Sequence, residues 1–279
     1  MKEIKNQSFE GERALFFSDG LLIENCDFHD GESPLKESKN LTIKNSTFKW
    51  KYPLWYCENI ECEGLLLEEM ARSGIWYTHN IKMTNCLFEC PKTFRRASKI
   101  TLINCKLPNA KETIWMCSDI KIIDTQIDGD YLCINSENIE FDNVLLNGNY
   151  AFDGSKNIVV KNSILNSKDA FWNAENVVVT NCKIVGEYLG WNSKNLTFIN
   201  CEIESHQGLC YIDGLKMINC KLINSDLTFE YCSKIDADID SEIDSVINPT
   251  SGTIRAKGIK QLIFDEHCID PDKTKIIIK

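Results

Sequence analysis

The sequence has few of the residues that usually build metal sites or recognise nucleic acids. Only four His occur among 279 residues, and no Cys-x-x-Cys pair is present. Structural zinc sites need such pairs or His clusters. Lys and Arg number 31 against 41 Asp and Glu, for a formal net charge of −10, whereas nucleic acids and anionic membranes attract clustered basic residues. We therefore expect no metal, no cofactor, no nucleic-acid partner and no membrane partner.

Long apolar runs are also missing. No stretch approaches the ~18 consecutive apolar residues of a membrane-spanning helix. The first residues, MKEIKNQSFEGERALFF, contain no apolar core of an export signal. We expect a cytoplasmic protein. In that compartment the fourteen Cys would be reduced thiols, and we interpret them as small buried apolar fillers.

The sequence instead contains one phrase that recurs along the chain. It is written SKNLTFINCEI at Ser193–Ile203, SKNLTIKNSTF at Ser38–Phe48 and SKNIVVKNSIL at Ser155–Leu165. Twelve copies follow one another in steps of 19 to 21 residues when each is aligned on the residue before its first apolar position. These anchor positions are Gly20, Asn40, Asn59, Asn80, Lys99, Asp119, Asn138, Asn157, Asn176, Asn195, Gly214 and Lys234.

Each copy reads as a short strand with one buried face. Apolar residues stand one and three places after the anchor, as in Leu196 and Phe198, with polar residues between them. This alternation is typical of a half-buried strand. Asn stands five places after the anchor in nine copies. It tolerates left-handed backbone and suits a bend, and stacked Asn can bond amide to amide. A third apolar column lies five places before the anchor, as in Phe152 and Phe171.

One copy alone cannot bury its apolar side chains, whereas stacked copies satisfy the backbone and form a continuous core. We therefore predict an all-β fold, a single-stranded right-handed parallel β-helix of the pectin-lyase type. It would have about twelve turns of 19–21 residues, each with three short strands, and the right-handed sense follows from the usual crossover rule. Residues 1–279 would form one domain, with residues 1–17 and 241–279 capping the open ends of the core.

Several longer phrases carry a family resemblance. They are GERALF (Gly11–Phe16), DGESPLKESKN (Asp30–Asn40), FKWKYPLWY (Phe48–Tyr56), GIWYT (Gly74–Thr78), FRR (Phe94–Arg96), KDAFWN (Lys168–Asn173) and GEYLGWNSKNL (Gly186–Leu196). With these phrases the chain resembles the bacterial domain-of-unknown-function family 3737, whose members look like pectin-lyase-type β-helices. It also resembles polysaccharide lyases and galacturonases more remotely, but the catalytic motifs of those enzymes are not found. The resemblance therefore supports the fold and implies no activity.

Residues that the repeat does not require are the candidates for function. Five of the six Trp occupy one column, four places before the anchor, and strand alternation points this column outward. An exposed line of Trp suggests a groove in which flat rings stack on sugars; alternatively the indoles cover one another. The predicted substrate-binding residues are Trp55, Trp76, Trp115, Trp172, Trp191, Tyr150, Tyr188 and His206.

Polar and charged residues collect close to this column. Carboxylates could serve as acid, base or nucleophile in glycoside hydrolysis, and a cation could neutralise a uronate or abstract a proton. Alternatively they form a solvated, ion-paired loop face. The catalytic candidates are Asp153, Asp169, Glu187, Lys168, Arg95 and Arg96.

Two functions remain open on the sequence. The first is a carbohydrate-binding or carbohydrate-modifying protein that acts along the Trp face on a carbohydrate or a sugar-containing small molecule. If it is an enzyme, a lyase or hydrolase is expected. The second is a non-catalytic interaction scaffold that docks a protein, or a second copy of itself as a homo-oligomer, on the same face.

Overall fold

The structure, a computed structural model, describes residues 2–265, 267 and 269–279. It divides into two compact units, Met1–Glu140 and Phe141–Lys279. The predicted all-β parallel β-helix is confirmed. The part of the chain that the structure describes contains no α-helix, only two short 3-10 turns at Glu69–Ala71 and Pro271–Lys273.

The first unit is built from parallel strands in pairs of one longer and one shorter strand per turn. Its strands are β1 (Lys2–Lys5), β2 (Ser8–Phe9), β3 (Leu21–Glu24), β4 (Asp27–Phe28), β5 (Lys39–Lys44), β6 (Thr47–Phe48), β7 (Glu58–Glu63), β8 (Leu66–Leu67), β9 (Ile75–Trp76), β10 (His79–Thr84), β11 (Leu87–Phe88), β12 (Phe94–Arg95), β13 (Ser98–Ile103), β14 (Lys106–Leu107), β15 (Ser118–Asp128) and the start of β16 (Glu137–Asn147). Equivalent residues of successive turns lie side by side, as in the pairs Ile81↔Ile100 and Ile100↔Ile120.

The second unit repeats this arrangement from the later part of β16 onward. Its further strands are β17 (Lys156–Lys161), β18 (Ile164–Asn166), β19 (Glu175–Thr180), β20 (Lys183–Val185), β21 (Lys194–Ile199), β22 (Glu202–His206), β23 (Asp213–Asp226), β24 (Ile235–Ile239), β25 (Glu242–Ile247), β26 (Gly252–Ala256), β27 (Gly258–Ile263) and β28 (Thr274–Ile278). Ile158 pairs with Val177, and Val177 pairs with Leu196. All three are fully buried, as the alternation predicts.

The predicted Asn bends are confirmed by the backbone. Asn85, Asn104, Asn181 and Asn200 all adopt left-handed φ angles between 51° and 56°. Their side chains also form amide ladders: Asn104 Nδ2 donates to Asn85 Oδ1 at 2.7 Å, and Asn200 Nδ2 donates to Asn181 Oδ1 at 3.1 Å. Asn therefore lowers the cost of the bend and links each turn to the next.

The anchor position forms a second Asn ladder, which the repeat pattern did not reveal. Asn80 Nδ2 donates to Asn59 Oδ1 at 2.8 Å, and Asn59 Nδ2 donates to Asn40 Oδ1 at 3.0 Å. These residues are also left-handed, with φ between 53° and 58°. The backbone thus bends at both ends of the predicted strand.

The third apolar column is buried as predicted, but most of it is not strand. Among the described residues, only β9 and β12 form a paired third strand. Ile114, Phe152 and Phe171 instead lie in turns with φ of 61° to 68°, although each is fully buried. Left-handed backbone costs a residue of this kind roughly 1–2 kcal/mol, and burial of its side chain returns about 1.5–3 kcal/mol. The prediction of three strands in every turn is therefore wrong, because the core holds these side chains in place without a strand.

The number of turns also exceeds the predicted twelve and is about fourteen. The added turns lie in the segments predicted as caps. β1 pairs with β3 over Lys2–Lys5, and β26 pairs with both β24 and β28. These segments thus contain strands in the parallel ladder. The capping role of residues 1–17 and 241–279 stays a prediction.

Thiols and hydroxyls in the core bond the backbone between turns. The thirteen described Cys are buried free thiols, and Cys268 lies outside the described residues. The Leu65 N–H donates to Cys86 Sγ at 3.5 Å, and the Ser163 N–H donates to Cys182 Sγ at 3.4 Å. Thr78 Oγ1 accepts from the Cys57 N–H in the same way at 3.2 Å. The interpretation of Cys as an apolar filler is therefore incomplete, because the thiol takes the place of a hydroxyl.

Candidate functional site

In the first unit, the Trp column forms a closed stack. The rings of Trp55 and Trp76 lie 5.3 Å apart and 8° from parallel. The Arg95 guanidinium carbon lies 4.6 Å from the centre of the Trp76 ring and 4.7 Å from that of Trp115. Each indole N–H donates to a backbone carbonyl: Trp55 to Ser73 at 2.5 Å, Trp76 to Lys92 at 2.9 Å and Trp115 to Tyr131 at 2.7 Å.

This stack leaves little room for a sugar ring between its members. A ligand can stack on an indole only where a flat face is free, and here each inner face contacts another ring or Arg95. All three Trp are half-buried. The geometry therefore favours a structural role for Trp55, Trp76 and Trp115, and it makes Arg95 a cation held between two aromatic rings.

In the second unit, the Trp rings and their Tyr neighbours are not parallel, and a cleft opens between them. Trp172 and Trp191 lie 5.9 Å apart at 39°. Tyr150 meets Trp172 edge-on at 6.0 Å and 89°, and Tyr188 meets Trp191 at 6.3 Å and 72°. The cleft has a volume of about 570 Å³. It is lined by Asn149, Tyr150, Lys168, Asp169, Trp172, Tyr188 and Trp191.

The repeat explains how the polar lining is assembled. Tyr150, Asp169 and Tyr188 occupy the same position in three successive turns, with left-handed φ angles of 60°, 55° and 52°. Backbone hydrogen bonds join these turns: the Asp169 N–H donates to Glu187 O at 2.8 Å, and the Tyr150 N–H donates to Lys168 O at 2.9 Å. The three side chains are therefore placed on one face by the backbone.

Asp169 is the carboxylate of the cleft. It is 7% exposed, and burial raises its pKa above the ordinary value, although Lys168 and a hydrogen bond from Tyr150 oppose this shift. A partly buried carboxylate beside a cleft can accept hydrogen bonds from hydroxyls and can hold a proton at a higher pH than usual.

The indole N–H groups of the cleft differ from each other. Trp172 Nε1 donates to Tyr188 O at 2.9 Å, as its counterparts do in the first unit. For Trp191 Nε1 no acceptor is found within the described residues. Among the described residues, the Trp191 indole N–H therefore lacks the carbonyl acceptor that its four counterparts in the column have.

Six of the fourteen predicted site residues lie together at the cleft. Tyr150, Lys168, Asp169, Trp172, Tyr188 and Trp191 line the cleft.

The remaining candidates of the second unit have other partners. Glu187 forms an ion pair with Lys168 at 2.7 Å beside the cleft. His206 Nδ1 lies 2.7 Å from Asp226 Oδ1, and Asp153 accepts from Asn173 Nδ2 at 2.8 Å. Their predicted roles stay predictions.

Arg95 and Arg96 lie in the first unit, where Arg96 is placed over the Tyr77 ring at 5.9 Å. Sequence reasoning missed Asn149, whose Oδ1 accepts from the Lys168 N–H at 3.1 Å. Its position directly before Tyr150 was the available signal.

No group of three or more metal-ligating side chains is present among the described residues. The predictions of no metal and no cofactor stay predictions. A search of the described residues also finds no helix with the length and apolarity needed to cross a membrane.

Together these features define a parallel β-helix protein with an aromatic cleft in its second unit. More particularly, the chain belongs to the family described as "Protein of unknown function (DUF3737)", whose model matches residues 2–277. The predicted family membership is therefore confirmed.

Solved structures with some similarity are also β-helix proteins, at low identity. The mannuronan C-5 epimerase AlgE4 A-module of Azotobacter vinelandii matches with a TM-score of 0.34 and 8% identity, over 99% of this chain and 89% of that one. The Streptococcus pneumoniae surface protein and adhesin PfbA matches with a TM-score of 0.36 and 11% identity, over 94% and 77%. The catalytic domain of a GH87 α-1,3-glucanase reaches 0.26 and 9%, over 97% and 58%. No curated protein matches the sequence. Scores this low carry no functional argument.

Proposed function

We propose that this protein binds a carbohydrate or a sugar-containing molecule in the cleft of the second unit. The observation that carries the proposal is the convergence of two indoles, two phenols, a carboxylate, an amide and a Lys on one hollow of about 570 Å³. Ligand sites typically have volumes of 300–1,000 Å³ and combine an apolar lining with a few polar groups.

The chemistry of a pyranose fits this lining. Its ring carbons present an apolar face that packs on an indole, while its hydroxyls need donors and acceptors around the rim. Trp172 and Trp191 provide the rings. Asp169 provides an acceptor, and Trp191 Nε1 and Lys168 provide donors. The proposed binding site thus includes only the two Trp of the column that lie in the second unit, and not the whole column that the sequence predicted.

The proposal is tested by titrating the full chain with tri- and tetrasaccharides and following Trp fluorescence and calorimetric heat. Trp172→Ala and Trp191→Ala each remove one ring of the cleft. Trp50→Ala is the matched control, because Trp50 is outside the cleft and its ring contacts Lys51 at 5.2 Å. An aromatic contact contributes about 0.5–1.5 kcal/mol beyond its area burial, so each cleft variant should weaken binding roughly two- to twelvefold.

The result that supports the proposal is weaker binding by both cleft variants and unchanged binding by Trp50→Ala. Two results reject it. One is the absence of binding to every saccharide on a broad glycan array at millimolar concentration. The other is binding by Trp172→Ala and Trp191→Ala that equals the wild type. Homo-oligomerisation stays a prediction, which light scattering at high protein concentration checks.

A further inference from the structure

A second, polar hollow adjoins the aromatic cleft. It has a volume of about 390 Å³, and it shares Asn149 and Lys168 with the cleft. Its other lining residues are Asn166, Ser167, Val185, Gly186, Glu187, Glu204, Ser205, His206 and Asn224. Gly186 keeps the backbone of two turns close, since a Cβ there would lie 1.9 Å from Ser167 O. The two hollows therefore form one continuous surface with an aromatic part and a polar part.

The basic side chains of this surface already have acidic partners. Lys168 Nζ lies 2.7 Å from a Glu187 carboxylate oxygen, and His206 Nδ1 lies 2.7 Å from an Asp226 carboxylate oxygen. An incoming anion would have to displace one of these carboxylates before it could pair with a cation. The surface therefore offers an anionic sugar no free positive charge.

Two carboxylates, by contrast, have only neutral hydrogen-bond partners. Glu204 accepts from Asn224 Nδ2 at 3.1 Å, and Asp169 accepts from the Tyr150 hydroxyl. Within the residues that the structure describes, neither forms an ion pair with a Lys or Arg. One of these carboxylates lies in each hollow, so both parts of the surface carry negative charge.

We infer that the ligand is an oligosaccharide of neutral or amino sugars that spans both hollows, and that uronic-acid oligosaccharides are rejected. This inference rests on the proposed function and specifies the ligand class of that same site. One sugar unit packs in the aromatic cleft, and the next reaches the polar hollow beside Glu204. A glucosamine ammonium there can pair with the Glu204 carboxylate, whereas the carboxylate of a uronate would be repelled by it.

The test compares three trisaccharides of similar size and different charge: the glucosamine trimer, its N-acetylated form and trigalacturonate. Calorimetry at low salt should show the glucosamine trimer binding about tenfold more tightly than trigalacturonate. Added salt should reduce the ratio of the two affinities because it screens exposed charges. Glu204→Gln and Asp169→Asn should each narrow it as well. Asp142→Asn is the matched control, because that carboxylate accepts a hydrogen bond from Asn162 and lines neither hollow.

The inference that one ligand occupies both hollows is tested by comparing the trimer with the monomer. A trimer should bind more tightly than glucosamine alone, and Glu204→Gln should weaken the amino trimer without affecting the monomer in the aromatic cleft. Equal or tighter binding of trigalacturonate overturns the charge preference, and equal binding of monomer and trimer overturns the span. In both cases sugar binding itself remains, so the proposed function stands. Failure of all saccharides to bind rejects both.

Discussion

Thr78 provides a sharp test of the bonding role assigned to core hydroxyls and thiols. It is fully buried. Its Oγ1 accepts from the Cys57 N–H at 3.2 Å and donates to Leu54 O at 2.5 Å. Thr78→Val keeps the shape of the side chain and removes both hydrogen bonds. Thr78→Ser keeps the hydroxyl and removes one methyl group.

The two variants separate apolar filling from hydrogen bonding. In Thr78→Val a buried N–H and a buried carbonyl lose their partner, at about 1–3 kcal/mol each, so the total cost should be about 2–6 kcal/mol. Thr78→Ser loses the transfer energy of one methyl group and leaves a small cavity, at about 1 kcal/mol. The Val variant should therefore unfold at the lower denaturant concentration, although it is the more apolar of the two.

The assay is urea unfolding of each full-length variant, followed by circular dichroism, together with thermal melts. A difference of 1 kcal/mol corresponds to about 2–4 °C for a chain of this size. The reasoning is refuted if Thr78→Val is as stable as Thr78→Ser, or more stable. Such a result would mean that the core position requires volume alone.

Three further predictions concern charge and thiols. Burial raises the folded-state pKa of Asp169 above its ordinary value of 3.8, so the ionised group destabilises the native state at neutral pH and this cost is relieved as pH falls through the folded pKa towards 3.8. Asp169→Asn should therefore have a higher melting temperature than the wild type at pH 7, and this difference should disappear near pH 4. A difference in melting temperature that does not change with pH contradicts the reasoning. Burial raises the pKa values of Cys90 and Cys117 to about 12, so a disulfide-exchange reagent should label them only at the rate of unfolding, and rapid native labelling contradicts the predicted burial. Arg95→Met should lower the free energy of unfolding, measured by urea denaturation, by about 1–3 kcal/mol through loss of two cation–π contacts. Arg96→Met is the comparison, and the loss of its exposed guanidinium should lower the free energy of unfolding less. Equal losses would contradict the placement of Arg95 between the rings of Trp76 and Trp115.

Much of the fold could be predicted because strand alternation and Asn bends are local signals. Each depends on two or three neighbouring residues, and stacking repeats them in every turn. The backbone conformation of the third column escaped prediction, because Phe152 and Phe171 adopt a left-handed backbone that their residue type disfavours. This left-handed backbone is stabilised by burial of the two side chains in the core. The core around them is formed by residues of other turns, so a local sequence pattern does not reveal it.

The candidate site was likewise predicted in part. The sequence placed Asp169, Tyr188 and Trp172 near one another because they follow the repeat, and the structure places all three on one cleft. It could not show that Arg95 fills the space between Trp76 and Trp115. Open and closed parts of one column differ in ring tilt and in a single intervening side chain, and neither is encoded in the spacing.

The 19-residue register of the second unit has a consequence for how such a chain can vary in length. Val159 lies beside Val178, and Val178 lies beside Thr197. Each residue thus depends on the equivalent residue one turn away. Insertion or loss of a whole turn, such as residues 158–176, would present each neighbour with an equivalent partner. Insertion of a single residue would shift every later amide and apolar side chain out of line. Genes for such chains can therefore change length by tandem duplication of a whole turn, which would alter the number of turns while leaving the core intact.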